Sequence, residues 1–211
     1  MFIENKKLNY EDYSPISKSE ILELFQIKDS ICRLHLERGI ANGFFLELNN
    51  KDIPFSKCLL TCNHFLPEEA IEKQTELKMS YQDKYQILKI TKNNRKIFTN
   101  EEIDYTLIEI LPEDNIKKFL RISDENYNDN SKIISLSYTE YGEFSLSRSQ
   151  IKKIKGYLII HTCSSENSSG GPILLRRNLL AIGMNCHSFV NPEYDPEGIS
   201  ILSIINDKKI K

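Results

Sequence analysis

From about residue 31 onward, apolar residues rich in Ile, Leu, Phe and Tyr fall in short runs of strand length, separated by clusters of Asn, Asp, Lys and Gly. The pattern predicts strands over 31–37, 42–48, 57–62, 76–81, 85–89 and 105–110. After the polar stretch 125–130 it predicts six more, over 132–138, 143–148, 156–162, 172–175, 179–185 and 199–205. Before residue 31 the chain is polar and carries one helical candidate. There Ser17 or Ser19 would cap a segment whose apolar face holds Ile21, Leu22, Leu24 and Phe25. Six strands on either side of a polar divide fit a pair of small closed sheets, so the fold expected is all-β with a short N-terminal helical extension.

Composition narrows the class. The chain has 211 residues, of which 40% are hydrophobic and 27% charged, a balance that supports a packed core. Its 28 basic and 30 acidic residues are interleaved, giving a formal charge of −2 with no long cationic tract, so nucleic acid is not an expected partner. The short basic runs 93–96 and 152–155 fit solvated turns or strand faces. No stretch has the length of a membrane span or of a signal-peptide core, and the expectation is a cytoplasmic protein without a membrane partner. Five cysteines, Cys32, Cys58, Cys62, Cys163 and Cys186, make an odd set, better suited to free thiols than to a disulfide framework. Cys58, Cys62 and His64 carry donor atoms that zinc accepts. They lack the paired ligand clusters of a structural site, so neither a metal nor another cofactor is expected.

Chemistry concentrates in three places. The run Ser168-Ser169-Gly170-Gly171-Pro172 stands just before an apolar strand. Two glycines after a serine permit a sharp turn and a close backbone approach, and the proline begins the next strand where no ladder donor is needed. Such a turn aims the amides of Asn167 and Ser169 at one point, as stabilisation of an oxyanion requires. Upstream, Leu60-Thr61-Cys62-Asn63-His64 ends an apolar strand on a histidine. Between the two, Asp104 leads the apolar strand Tyr105-Thr106-Leu107-Ile108. Of the four histidines, His35, His161 and His187 sit where packing or pocket roles suffice, and only His64 stands at a strand end before a proline-led segment.

Taken with Gly43-Phe44-Phe45 and Ile182-Gly183, these pieces resemble the trypsin-like serine peptidase family, in the family's order, over about residues 31 to 205. The resemblance implies two six-stranded antiparallel β-barrels packed together. They would follow an extension over 1–30, the first barrel (31–124) carrying His64 and Asp104 and the second (125–211) carrying Ser169. It also implies a serine endopeptidase acting on a polypeptide, with Ser169 as nucleophile, His64 as general base and then acid, Asp104 orienting the imidazole, and the backbone amides of Asn167 and Ser169 as oxyanion hole. Glu101 and Glu102 are the nearest substitutes for Asp104. By the same resemblance the primary specificity pocket has its floor near Cys163 and Ser164 and its wall near Asn185 to His187. None of these is acidic, which argues against a preference for Lys or Arg, while His187 would favour acidic or amide side chains.

The chain departs from the family at Asn167-Ser168, where extracellular members have Gly-Asp. Ser168 cannot form the ion pair with a new N-terminus that activates those members, so no proteolytic activation is expected. The competing expectation is a catalytically silent fold of the same kind that acts as a protein-binding or regulatory module.

Overall fold

The computed structural model describes residues 15–36, 39–73, 76–82, 84–91, 93–162, 168–187 and 197–210. The chain opens with α1 (Lys18–Lys28), whose N-cap Ser17 accepts a hydrogen bond from the Glu20 amide. That is one of the two capping serines expected, but the predicted apolar face is not the buried one. Leu24 is buried, whereas Ile21, Leu22 and Phe25 are exposed. The helix is docked by an ion pair from Glu20 to Arg176 at 3.2 Å as well as by Leu24.

The first sheet contains β1 (Ile31–Leu36), β2 (Gly39–Glu47), β3 (Lys57–Thr61), β4 (Glu76–Tyr81), β5 (Lys84–Lys89), β6 (Ile97–Asn100) and β7 (Tyr105–Glu109). The strand order is β5-β4-β1-β2-β3-β7-β6, and the two-residue β8 (Leu120–Arg121) joins β2 in parallel. The sheet curls without closing, because β5 and β6 are its two ends. This corrects the expectation of a closed six-stranded barrel in the first half. It also adds two strands the hydrophobic pattern did not mark, β6 and β8.

The second sheet does close. It comprises β9 (Lys132–Tyr138), β10 (Phe144–Lys155), β11 (Leu158–His161), β12 (Pro172–Leu175), β13 (Ala181–His187) and β14 (Glu197–Ser200), in the order β10-β11-β14-β13-β12-β9. The last apolar run, expected as one strand over 199–205, divides instead. β14 ends at Ser200, and α3 (Ile201–Ile205) follows, burying Ile201 and Ile204. A mostly apolar run of seven residues, broken only by Ser200 and Ser203, is too short for its periodicity to separate a buried strand from a buried helical turn.

Side-chain alternation along the strands builds three cores. In β2, Phe45 points into the curled first sheet with Leu34, Leu59, Met79, Leu88 and Ile108. Its neighbour Phe44 points the other way and packs with Leu60, Leu107, Leu136, Leu174 and Met184, which joins the two sheets. A third cluster of Ile133, Ile151, Ile159, Ile173 and Ile182 fills the closed barrel. The two short basic runs differ from each other. Lys152, Lys153 and Lys155 lie exposed on β10, as a solvated strand face should. Arg95 is buried instead, held bidentately by Asp114 at 2.9 and 3.0 Å and donating to the Glu109 carbonyl, so that run is not simply a solvated turn.

Candidate active site

Asp104 stands immediately before β7 in a left-handed conformation, with φ of 61°. An aspartate tolerates this better than most residues, and the preceding turn holds it there. The Asn100 side-chain oxygen accepts the amides of Glu102 and Ile103, while its amide nitrogen donates to Asp207 at 2.6 Å. Asp207, just beyond α3, also accepts the Tyr105 hydroxyl at 2.6 Å. Desolvation raises the Asp207 carboxyl, but the hydrogen bonds from Tyr105 and Asn100, with help from Lys209, outweigh it and hold it below the ordinary 3.8. Burial, with the Asp207 carboxylate beside it, pushes the Tyr105 phenol up, so Tyr105 remains a donor. The C-terminal segment thus reaches back from the second sheet to brace the turn that carries Asp104.

His64 follows β3 in a turn closed by the Leu66 amide on the Cys62 carbonyl. Asp104 engages it twice. One carboxylate oxygen accepts the His64 backbone amide at 2.8 Å, and the other lies 2.7 Å from Nδ1. With both oxygens engaged, ring and carboxylate are fixed relative to each other, and the Nδ1 proton has an acceptor. The imidazole stacks at an angle on Phe65, with ring centres 4.4 Å apart, and keeps 39% of its side chain exposed. Glu101 and Glu102 do not take the place of Asp104 here. With Glu68, Glu69 and Lys209 they line a cleft of about 600 Å³ that opens on His64 and Asp104.

Ser169 sits in the turn before β12 and is 8% exposed. The turn is shaped by contacts that no side chain could survive. Gly170 has φ of +82°, and a Cβ there would lie 1.9 Å from the Asn42 carbonyl oxygen. At Gly171 a Cβ would lie 2.2 Å from the Leu136 carbonyl oxygen. The Gly170 amide donates to Asn185, the Gly171 amide to Ser168, and the Ser169 carbonyl accepts the Asn42 amide. The Ser169 hydroxyl donates to the Cys186 carbonyl at 3.3 Å.

Two sets of contacts bring the serine turn and the histidine strand together. The Asn185 carbonyl accepts both the Gly170 amide at 2.7 Å and the Cys62 thiol at 3.2 Å, so the residue after Ser169 and the residue two before His64 meet on one oxygen. Asn42 makes the second set. Its carbonyl accepts the Thr61 hydroxyl, its amide holds Ser169, and its side chain pairs with both backbone groups of Tyr138 on β9, at 2.6 and 3.3 Å. Sequence inspection passed over Asn42. The one available signal was a polar residue with a two-faced amide inside an otherwise apolar strand.

The remaining expected site residues divide. Asn185 is buried, its side chain donating to the Ser135 hydroxyl and the Gly171 carbonyl, so it supports the serine turn from within. His187 is the last residue of β13, paired in register with Glu197. Cys163, Ser164 and Asn167 lie outside the described residues. Cys32, Cys58, Cys62 and Cys186 are buried.

No protein-family model matches the chain, and no curated protein matches it. Solved structures do. The protease Rv3671c of M. tuberculosis H37Rv, in its inactive form, is 12% identical with a TM-score of 0.65, covering 93% of this chain and 94% of that one. A serine endoprotease from Yersinia pestis is 12% identical with a TM-score of 0.66, covering 91% of this chain and 65% of that one. A serine protease of human pathogenic astrovirus is 15% identical with a TM-score of 0.59, over 82% and 90%. The chain has the trypsin-like fold.

Proposed function

We propose that the protein is a serine endopeptidase that cleaves polypeptides through an acyl-enzyme on Ser169. The observation that carries this reading is the two-point contact of Asp104 with His64, set beside a glycine-shaped serine turn that meets the histidine strand on the Asn185 carbonyl. A serine hydroxyl is too weak an acid to attack an amide unaided, so it needs a neutral imidazole as proton acceptor. His64, its Nδ1 proton directed at Asp104, offers Nε2 for that task. The Ser169 oxygen attacks the scissile carbonyl while His64 takes its proton. The carbonyl oxygen gains charge, which the amides of Ser169 and Asn167 receive; those of Gly170 and Gly171 are committed to Asn185 and Ser168. The C–N bond then breaks as His64 returns the proton to the leaving amine. A water molecule, deprotonated by the same imidazole, releases the acyl group and regenerates the serine.

One observation favours a second reading, a silent fold acting as a binding or regulatory module: the Ser169 hydroxyl donates to the Cys186 carbonyl. In the peptidase reading a substrate's approach rotates the hydroxyl off that carbonyl and onto the imidazole. In the silent reading it stays. Incubation with unfolded protein and with a mixed peptide library separates the two. Defined cleavage products that disappear in both Ser169→Ala and His64→Ala support the peptidase. A folded, unaltered protein that cleaves nothing overturns it.

A further inference from the structure

Cys62 has no role in the reaction just described, yet its sulfur lies beside two groups that do. The Cys62 thiol, a His64 ring nitrogen and an Asp104 carboxylate oxygen all lie within 4.8 Å of one another. The ligand atoms of a tetrahedral zinc ion, bound at about 2.0–2.3 Å, stand roughly 3.3–3.7 Å apart. His64 Nδ1 and Asp104 stand closer than that, at 2.7 Å, and no pair of the three atoms exceeds 4.8 Å. Side-chain adjustment that parts His64 from Asp104 would let the three atoms enclose an ion. Thiolate, imidazole and carboxylate together form a donor set of borderline softness, which favours zinc over magnesium or calcium.

We propose that this cluster is an inhibitory zinc site, in which Zn²⁺ bound by Cys62, His64 and Asp104 holds the enzyme inactive until the ion is withdrawn. The proposal rests on the peptidase reading only for its effect on activity; binding of the metal is a separate matter. The cleft opens on two of the three ligands, His64 and Asp104, with Cys62 buried behind them. It is lined by Glu68, Glu69, Glu101 and Glu102 against a single cation, Lys209, so it draws cations toward the exposed imidazole.

The metal-free state is self-consistent. Cys62 is fully buried, and desolvation, reinforced by Asp104 and Cys186, keeps its thiol protonated and donating to Asn185. On binding, the thiol proton passes to solvent, and the two positive charges of the ion compensate the new thiolate and the Asp104 carboxylate. Water from the cleft fills the fourth position. Inhibition follows whichever ring nitrogen binds. If Nε2 binds, the lone pair that would accept the serine proton is occupied. If Nδ1 binds, the ring proton moves to Nε2, which then has nothing to accept with.

Cys58, the other sulfur close by in sequence, is no part of the cluster. It lies in the core, with its thiol directed at the Leu46 carbonyl. This contrast supplies the control.

The test uses full-length protein stripped with a chelator and then reacted with a fluorophosphonate, with and without micromolar Zn²⁺. Zinc is expected to slow labelling by on the order of tenfold or more, with recovery on adding chelator. Each variant is judged by its own ratio of rates with and without zinc. Cys62→Ala, or Cys62→Ser should the first fail to fold, is expected to need on the order of tenfold more zinc for the same inhibition. Cys58→Ala is expected to keep the original sensitivity. Independently, Co²⁺ added to the unaltered protein should give a thiolate-to-cobalt charge-transfer band that Cys62→Ser lacks. Labelling indifferent to zinc, undiminished sensitivity without the Cys62 sulfur, or no sulfur band on folded protein would each overturn the proposal. If nothing labels under any condition, the peptidase reading fails, and the cobalt band alone decides whether the metal site exists.

Discussion

The two halves of the candidate site are held in place by different physics. The serine turn is fixed by steric exclusion, since Gly170 and Gly171 press their α-carbons against the Asn42 and Leu136 carbonyls where no side chain fits. The histidine–aspartate corner has no such crowding. It is fixed by directed hydrogen bonds: Asn100 accepts from the turn before Asp104 and donates to Asp207, and Asp104 accepts the His64 amide and faces its Nδ1. The serine sits on a closed barrel and the corner on an open, curled sheet. One half should therefore fail abruptly when its shape changes, whereas the other should lose function in steps while the fold persists.

The largest expected effect lies in the corner's chemistry. Asp104→Asn should lower the rate of fluorophosphonate labelling by about a thousandfold or more, because the amide no longer enforces the productive imidazole tautomer. Far-ultraviolet circular dichroism should be unchanged. An abrupt loss of fold in this variant would erase the contrast.

Gly170→Ala comes next and tests the serine half. A Cβ set against the Asn42 carbonyl, in a backbone region that L residues avoid, should cost about 3 kcal/mol or more in urea denaturation, with labelling lost in parallel. Near-wild-type stability would mean that steric exclusion does not shape the turn.

Asn42→Ala probes the link between the halves. It removes both side-chain bonds to Tyr138 and should cost about 1–3 kcal/mol, since both are made to buried backbone groups. Labelling should slow further than the stability loss explains, because Asn42 also holds the Ser169 carbonyl.

The smallest effect is expected at Asp207. Its folded-state pKa is depressed, so the unfolded chain binds more protons, and the contribution of Asp207 to stability is complete above the ordinary value of about 3.8. That contribution is lost as pH falls through the lower folded value. Asp207→Asn should lose on the order of 1 kcal/mol near neutrality and show a shallower decline in acid, read from urea midpoints across pH. An unchanged acid slope would remove Asp207 from the bracing of the corner.

How far the sequence revealed all this follows from the same contrast. The expected bounds coincide with those observed in β4, where burial alternates, and in β9, a run buried from Ile133 to Tyr138 behind an exposed Lys132. Where pairing partners decide, the pattern was silent. β6 is four residues beside a polar run and is made a strand by β7, and β8 is two residues that β2 recruits. Ile201 to Ile205 turn helical because that buries Ile201 and Ile204, which so short a run, interrupted by Ser203, does not disclose. On α1 the exposed Ile21, Leu22 and Phe25 mislead any reading that equates an apolar face with a buried one.

In the site, the Ser-Gly-Gly-Pro turn was legible because steric demands leave glycines behind. His64 and Asp104 were legible through their flanking strands. Asn42, Asn100 and Asp207 were not, because a hydrogen bond between residues about 100 positions apart leaves no local trace. The support that Asn185 gives the serine turn through Ser135, 50 positions away, was hidden for the same reason.

The most direct test of the peptidase account is to react the full-length protein with a fluorophosphonate and locate the adduct by peptide mass spectrometry. The account predicts a single adduct on Ser169, absent from Ser169→Ala and strongly reduced in His64→Ala. A folded protein that remains unmodified, or that carries its adduct on another residue, would contradict it.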